Sequence, residues 1–169
     1  EQARARATFL DYLERLASDN DSSEAAVHTA LKNNLWVFGA SYSLFSSNAT
    51  LRRQVEDFLG KKYSGKNASQ RPDLLLNVDL NDDYLLIEFK RPSHALNWED
   101  YTQATSYRHD FGKYVSASIK VLVVGGSLSS DFPRANVEPN VIGVDFKQLI
   151  SSARRQVKWL LRDSDSGMK

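Results

Sequence analysis

Apolar residues recur with two different periods along this chain, and the changes between them mark out its elements. Residues 3–17 carry Phe9, Leu13 and Leu16 at helical spacing, which predicts a first helix. Asp19-Asn20-Asp21-Ser22-Ser23 breaks it, and a second helix is expected from about Ser23 to Asn34, with Val27 and Leu31 on one face. Leu35-Trp36-Val37-Phe38-Gly39 then ends that helix and enters the core. Over Leu74–Leu80 and Tyr84–Ile87 the helical period disappears: apolar residues follow one another on either side of the polar turn Asn81-Asp82-Asp83. Two such runs around an Asn/Asp cluster predict a β-hairpin, and their unbroken apolar character predicts strands covered on both faces. Pro92 has no N–H to give to a ladder, so the second strand ends before it. A helix from Trp98 to Phe111 and a buried strand over Ser118–Val124 follow, the strand closed by Gly125-Gly126. Another strand is expected over Val141–Phe146, then an amphipathic helix from Lys147 to Arg162. Its buried stripe is expected to be Leu149, Ile150, Ala153, Val157, Leu160 and Leu161. The segment Ser41–Gln70 is less clear, with Leu51–Leu59 readable as a short helix or strand.

This order predicts an α/β fold, a mixed central β-sheet flanked by helices. One domain is expected over residues 1–169: a peripheral helix over 1–20, the core over 21–163 and a frayed tail over 164–169.

Charge enters the hairpin at one end. Asp73 opens the first strand; Glu88 and Lys90 close the second. With the turn centred near Asp82, antiparallel pairing puts residue 73 opposite residue 90 or 91. Glu88 and Lys90 are two apart and share a face. Two carboxylates and one ammonium thus converge. Carboxylate oxygens suit a hard cation such as Mg²⁺, and a lysine beside them can orient a water or stabilise developing negative charge. That is equipment for metal-assisted phosphodiester hydrolysis. The competing reading is an ordinary ion pair between Glu88 and Lys90 at an exposed strand end.

Other motifs carry less. Gly60 to Asn67 nearly spells a phosphate-binding P-loop, but Asn67 stands where Ser or Thr must hold Mg²⁺, and the preceding residues are too polar for a buried strand. A basic loop near the site entrance is the better reading. His28, His94 and His109 lack zinc-ligand spacing, and the chain has no cysteine to help them. His28 and His109 are read as structural. His94, four residues past Lys90, is read as an exposed loop residue or a phosphate contact.

Pro72-Asp73, fourteen intervening residues and Glu88-Phe89-Lys90 together resemble the PD-(D/E)XK nuclease motif, and the element order resembles the restriction-endonuclease-like core. Gln103-Ala-Thr-Ser-Tyr107 is similar to the Q-x-x-x-Y motif of RecB-like members, whose residues four apart share a helix face. The N-N-L-W-V-F-G segment, the R-P-D-L-L-L hairpin with I-E-F-K-R-P and the Gln helix most resemble the Shedu-type anti-phage defence nuclease domain, over about Glu24 to Tyr114. The resemblance implies Asp73, Glu88 and the Phe89 carbonyl as ligands of Mg²⁺ or Mn²⁺. It implies Lys90 and Gln103 as further catalytic residues, and Tyr107 and His94 as supporting ones. Glu24 keeps two readings, a capping-box partner of Asp21 or the extra carboxylate that such nucleases take from the helix before the hairpin. Tyr107 likewise is either a substrate contact or a core tyrosine.

Composition adds bounds. Net charge is +1, so overall charge announces no nucleic-acid partner; its distribution says more. Lys61, Lys62, Lys66 and Arg71, then Arg91, then Arg154, Lys158 and Arg162 are candidate phosphate contacts, or else solvated faces. The absence of cysteine suits a reducing cytosol, and a cytoplasmic location is expected. No run of eighteen apolar residues appears, so no membrane span is expected. The chain starts at Glu1 without a Met, so it is expected to be a piece of a longer protein. The resemblance implies a nuclease acting on DNA in bacterial defence, fused to a regulatory region and forming a homo-oligomer. Two other classes stay open: a catalytically silent nucleic-acid-binding module of the same fold, and an assembly domain.

Overall fold

The computed structural model describes residues 1–39, 42–44, 73–78, 83–113, 118–134 and 137–166. Within them the order is α1 (Gln2–Ser18), α2 (Glu24–Lys32), a 3₁₀ turn (Leu35–Phe38), β1 (Tyr42–Leu44), β2 (Leu74–Val78), β3 (Asp83–Phe89), β4 (Ala95–Leu96), α3 (Trp98–Phe111), β5 (Ile119–Gly125), β6 (Ser127–Leu128), β7 (Val141–Asp145) and α4 (Phe146–Ser166).

Five strands form one mixed sheet in the order β1-β2-β3-β5-β7. The first three are antiparallel neighbours, whereas β3, β5 and β7 run parallel. A parallel neighbour needs a crossover, and α3 supplies it between β3 and β5. The hairpin thus lies inside the sheet, with β3 at its centre. Every β3 residue from Tyr84 to Phe89 is buried, as unbroken apolar character requires.

The period of two along β3 divides the core. Leu85, Ile87 and Phe89 point to one face, against Leu10 and Leu13 of α1, Val27 and Leu31 of α2, and Leu149, Ile150, Ala153 and Val157 of α4. Tyr84 and Leu86 point to the other, against Ala104, Tyr107 and Phe111 of α3, with Val121 and Val123 beside them. The fold is therefore mixed α/β with helices on both faces of the sheet.

Four expectations need correction. The hairpin register pairs Leu74 with Ile87 and Val78 with Asp83. One step further sets Asp73 against Glu88, not against residue 90 or 91. The pairing summed along β2 and β3, and not the Asn/Asp cluster, sets the register. Residues 1–20 are not peripheral: Leu10 and Leu13 are fully buried in the larger core. The last helix runs through Ser166, past the expected end at Arg162. Leu160 and Leu161, expected in its buried stripe, are 43 % and 39 % exposed beside Trp159. A helix this long outruns strands of five to seven residues, so its last turns pass beyond the layer that would cover them. The short β4–β6 pair was not expected; two-residue strands leave no periodic signature.

Candidate metal centre

The site forms at the carboxyl end of β3. Glu88 projects to the α3 face, in step with Tyr84 and Leu86, and is 4 % exposed. Asp73, at the start of β2, is fixed twice by the β3 main chain. Its N–H donates to the Ile87 carbonyl at 3.1 Å, and its Oδ2 accepts the Phe89 N–H at 2.6 Å. Phe89 itself is fully buried, its ring 5.9 Å from that of His28 and 6.1 Å from that of Phe38.

The third acid comes from the opposite layer. Ser23 caps α2, its Oγ accepting the Ala26 N–H at 3.1 Å. The cap is thus Ser23, not Asp21, whose N–H is turned back onto Asp19 Oδ1 at 2.9 Å. Glu24 becomes the first residue of α2 and is not needed for capping. Its carboxylate joins Asp73 and Glu88, with one oxygen from each lying within 4.8 Å of the others. Of the two readings of Glu24, the geometry matches the one that turns it toward the hairpin.

Lys90 completes the group. Its N–H donates to the Val124 carbonyl at 2.8 Å, which ties the residue to β5. Its ammonium lies 3.4 Å from Glu88 Oε1, 3.3 Å from Gln103 Oε1 and 3.8 Å from Asp100 Oδ1. Gln103 therefore serves the lysine rather than a carboxylate. The Glu88–Lys90 pair is largely buried, with side-chain exposures of 6 % and 19 %, so an exposed surface pair does not describe it.

Electrostatics follow from burial. Desolvation, and next the negative charge of Asp73, push the Glu88 carboxyl up to about 8, against the pull of Lys90. Burial raises Asp73 as well, opposed by the Phe89 N–H and by His28. Glu88 Oε2 is buried and has no hydrogen-bond partner among the described residues. Such an oxygen costs about 1–3 kcal/mol unless something satisfies it. Carboxylates from three elements, with one buried lone-pair oxygen to spare, fit a hard divalent cation such as Mg²⁺ or Mn²⁺.

No known protein-family model matches the chain, and no curated protein matches it.

The remaining candidates fall in several places. His94 Nε2 lies 2.7 Å from Asp100 Oδ2. Tyr107 is 2 % exposed inside the α3-side core, so its ring is a core ring and not a stacking surface. Arg91 is exposed directly after Lys90. Arg154 lies on α4, paired with Asp11 at 3.0 Å and Glu14 at 2.7 Å of α1. Lys158 and Arg162 are exposed further along that helix. Lys61, Lys62, Lys66 and Arg71 lie outside the described residues, as does the P-loop-like stretch. Among the described residues, no helix is long and apolar enough to cross a membrane.

Two residues at the site escaped the sequence reading. Asp100 was legible as a helix-start acid, since Asn97-x-x-Asp100 has capping-box spacing and forms that box. His28, read as structural, stands one helical turn after Glu24 and presents a buried Nε2 without a partner among the described residues. The i, i+4 spacing to Glu24 was the available signal.

Proposed function

We propose that this domain is a divalent-metal-dependent endonuclease of the PD-(D/E)XK type, with a restriction-endonuclease-like core. The observation that carries the reading is the convergence of Glu24, Asp73 and Glu88 within 4.8 Å, beside the partly buried Lys90 ammonium. Glu24, Asp73 and Glu88 would hold Mg²⁺ or Mn²⁺, with the Phe89 carbonyl as a further oxygen donor. When bound, such an ion neutralises phosphate charge and lowers the pKa of a coordinated water.

The chain's own groups divide the remaining work. Asp73 is held by two main-chain hydrogen bonds at the end of β3, so its free oxygen is aimed without conformational cost on binding. Phosphodiester hydrolysis gathers negative charge on the phosphoryl oxygens in the transition state. The Lys90 ammonium is fixed beside Glu88 and stabilises that charge more than the ground state, which raises the rate. Gln103 holds the ammonium through Oε1, which keeps the lysine extended toward the acids instead of free in solvent.

Nucleic acid is the substrate class this equipment serves. We favour DNA and a role in bacterial anti-phage defence, in a longer, cytoplasmic, oligomeric protein with a regulatory region; these rest on the Shedu-type resemblance. The test is cleavage of a panel of duplex, nicked and single-stranded DNA and of RNA, with Mg²⁺, Mn²⁺ or chelator. Metal-dependent cutting of any member supports the reading. No cutting by the chain, nor by the full-length protein, would leave the catalytically silent binding module.

A further inference from the structure

Asp100 takes no part in the acid cluster, yet it is 8 % exposed and contacted from two sides. Its Oδ1 faces the Lys90 ammonium at 3.8 Å. Its Oδ2 accepts the Asn97 N–H at 2.9 Å and lies 2.7 Å from His94 Nε2. An oxygen already accepting from a main-chain N–H meets a ring nitrogen at this distance as an acceptor again, so Nε2 carries the proton. The neutral ring then has its lone pair on Nδ1, which makes no hydrogen bond among the described residues, on a side chain one-third exposed.

The main chain of His94 is fixed as firmly as its ring. The Gly126 N–H donates to the His94 carbonyl at 2.9 Å, and the His94 N–H to the Arg91 carbonyl, also at 2.9 Å. A Cβ on Gly126 would collide with the Pro92 carbonyl, so the loop sits in the space a side chain would fill. Capping α3 needs only the bond from the Asn97 N–H to Oδ2; it accounts for neither Lys90 nor His94.

We infer that Asp100 is a positioning residue of this site: it steadies the Lys90 ammonium and sets the His94 ring with its Nδ1 lone pair left to accept a proton from the attacking water. A carboxylate that binds one ring nitrogen so that the other meets the reacting partner is a general way to orient histidine. The inference rests on the nuclease reading, and its experiment includes a measurement independent of cleavage.

Asp100→Asn is compared with Asn97→Ala and His94→Gln by the ¹⁵N shifts of the His94 ring, Mn²⁺ affinity and single-turnover cleavage. In Asp100→Asn the ring should lose its fixed Nε2–H tautomer, while Mn²⁺ affinity holds. The cleavage rate should fall by roughly 10²-fold, a usual size for one positioned proton-transfer group, with half-saturation by nucleic acid unchanged. Asn97→Ala should lower the melting temperature but leave ring shifts and rate as in the wild type. Combining Asp100→Asn with His94→Gln should cost less than the product of the single losses. A wild-type tautomer in Asp100→Asn, or a rate loss in Asn97→Ala as large as in Asp100→Asn, overturns the inference. Should Asp100→Asn fail to fold, a wild-type rate in His94→Gln overturns it instead. A wild-type protein that cuts nothing defeats the nuclease reading; the ring shifts then decide whether Asp100 orients His94.

Discussion

Replacing Glu88 with glutamine should make the metal-free protein more stable at alkaline pH while abolishing its metal site. Glu88 is 4 % exposed, and its carboxyl is pushed from 4.5 up to about 8, first by burial and then by Asp73. The folded state therefore keeps a proton there that the unfolded chain gives up above 4.5. Between those two values the native state binds more protons than the unfolded state, so stability falls as pH rises, and the loss is complete above about pH 8. At 1.36 kcal/mol per pH unit, the span is worth about 5 kcal/mol at most. Asp73 titrates beside it, and the buried charge draws in some compensation, so about 2–4 kcal/mol is the expected size. Gln fills the same space and cannot ionise. For a domain of this length each kcal/mol moves the melting temperature by about 2–4 °C. Thermal unfolding should thus show Glu88→Gln roughly 5–15 °C above the wild type near pH 8.5 and close to it near pH 5. Saturating Mn²⁺ should raise the wild type at the higher pH and leave the variant where it was. A wild type whose stability is flat across this range, or a variant less stable than the wild type at the upper end, would refute the reasoning.

Four further outcomes are expected. Lys90→Ala should keep Mn²⁺ and nucleic-acid affinity but cut the single-turnover rate by roughly 10²–10³-fold, the usual size for one missing electrostatic donor; an unchanged rate rejects the role of the lysine. Gly126→Ala must displace the Pro92–His94 loop, because the new Cβ meets Pro92 backbone. It should cost about 1–3 kcal/mol of stability by overpacking and slow cleavage without weakening Mn²⁺ binding, as read by thermal unfolding and metal titration. On α4, Lys158→Glu with Arg162→Glu should flatten the salt dependence of nucleic-acid binding, the log–log slope on duplex DNA falling by about 0.9 for each phosphate the helix no longer neutralises. Arg154→Glu should instead loosen α1 from α4, since Arg154 is paired to Asp11 and Glu14; an unchanged slope in the first pair assigns that face to solvation.

Strand and helix identities were legible because burial imposes a period. The run Tyr84–Phe89 has no polar gap before Glu88, and a strand buried on both faces needs none. Trp98–Phe111 has the bounds expected of it, and its start is closed by the Asn97–Asp100 capping box. The grouping of Asp73 with Glu88 and Lys90 was legible from their place at one end of a hairpin. What failed to show was anything set by contacts distant in sequence. The register depends on pairing energies summed along β2 and β3, not on the turn residues. The burial of Leu10 and the exposure of Leu160 depend on where α1 and α4 lie against each other and the sheet. Asp100 meets Lys90 because α3 returns across the face that Glu88 occupies, and no local pattern records that return. His94 is held by Gly126, more than thirty residues later in the chain.

The central claim is that the Glu24–Asp73–Glu88 cluster binds a divalent cation that supports phosphodiester cleavage. The most direct test measures single-turnover cleavage against Mn²⁺ concentration alongside direct Mn²⁺ binding, for the wild type, Asp73→Asn and Glu88→Gln. Cleavage should rise along the binding curve in the wild type, and both should vanish in the two variants. Cleavage that persists with chelator, or Mn²⁺ binding that survives both substitutions, would contradict the account.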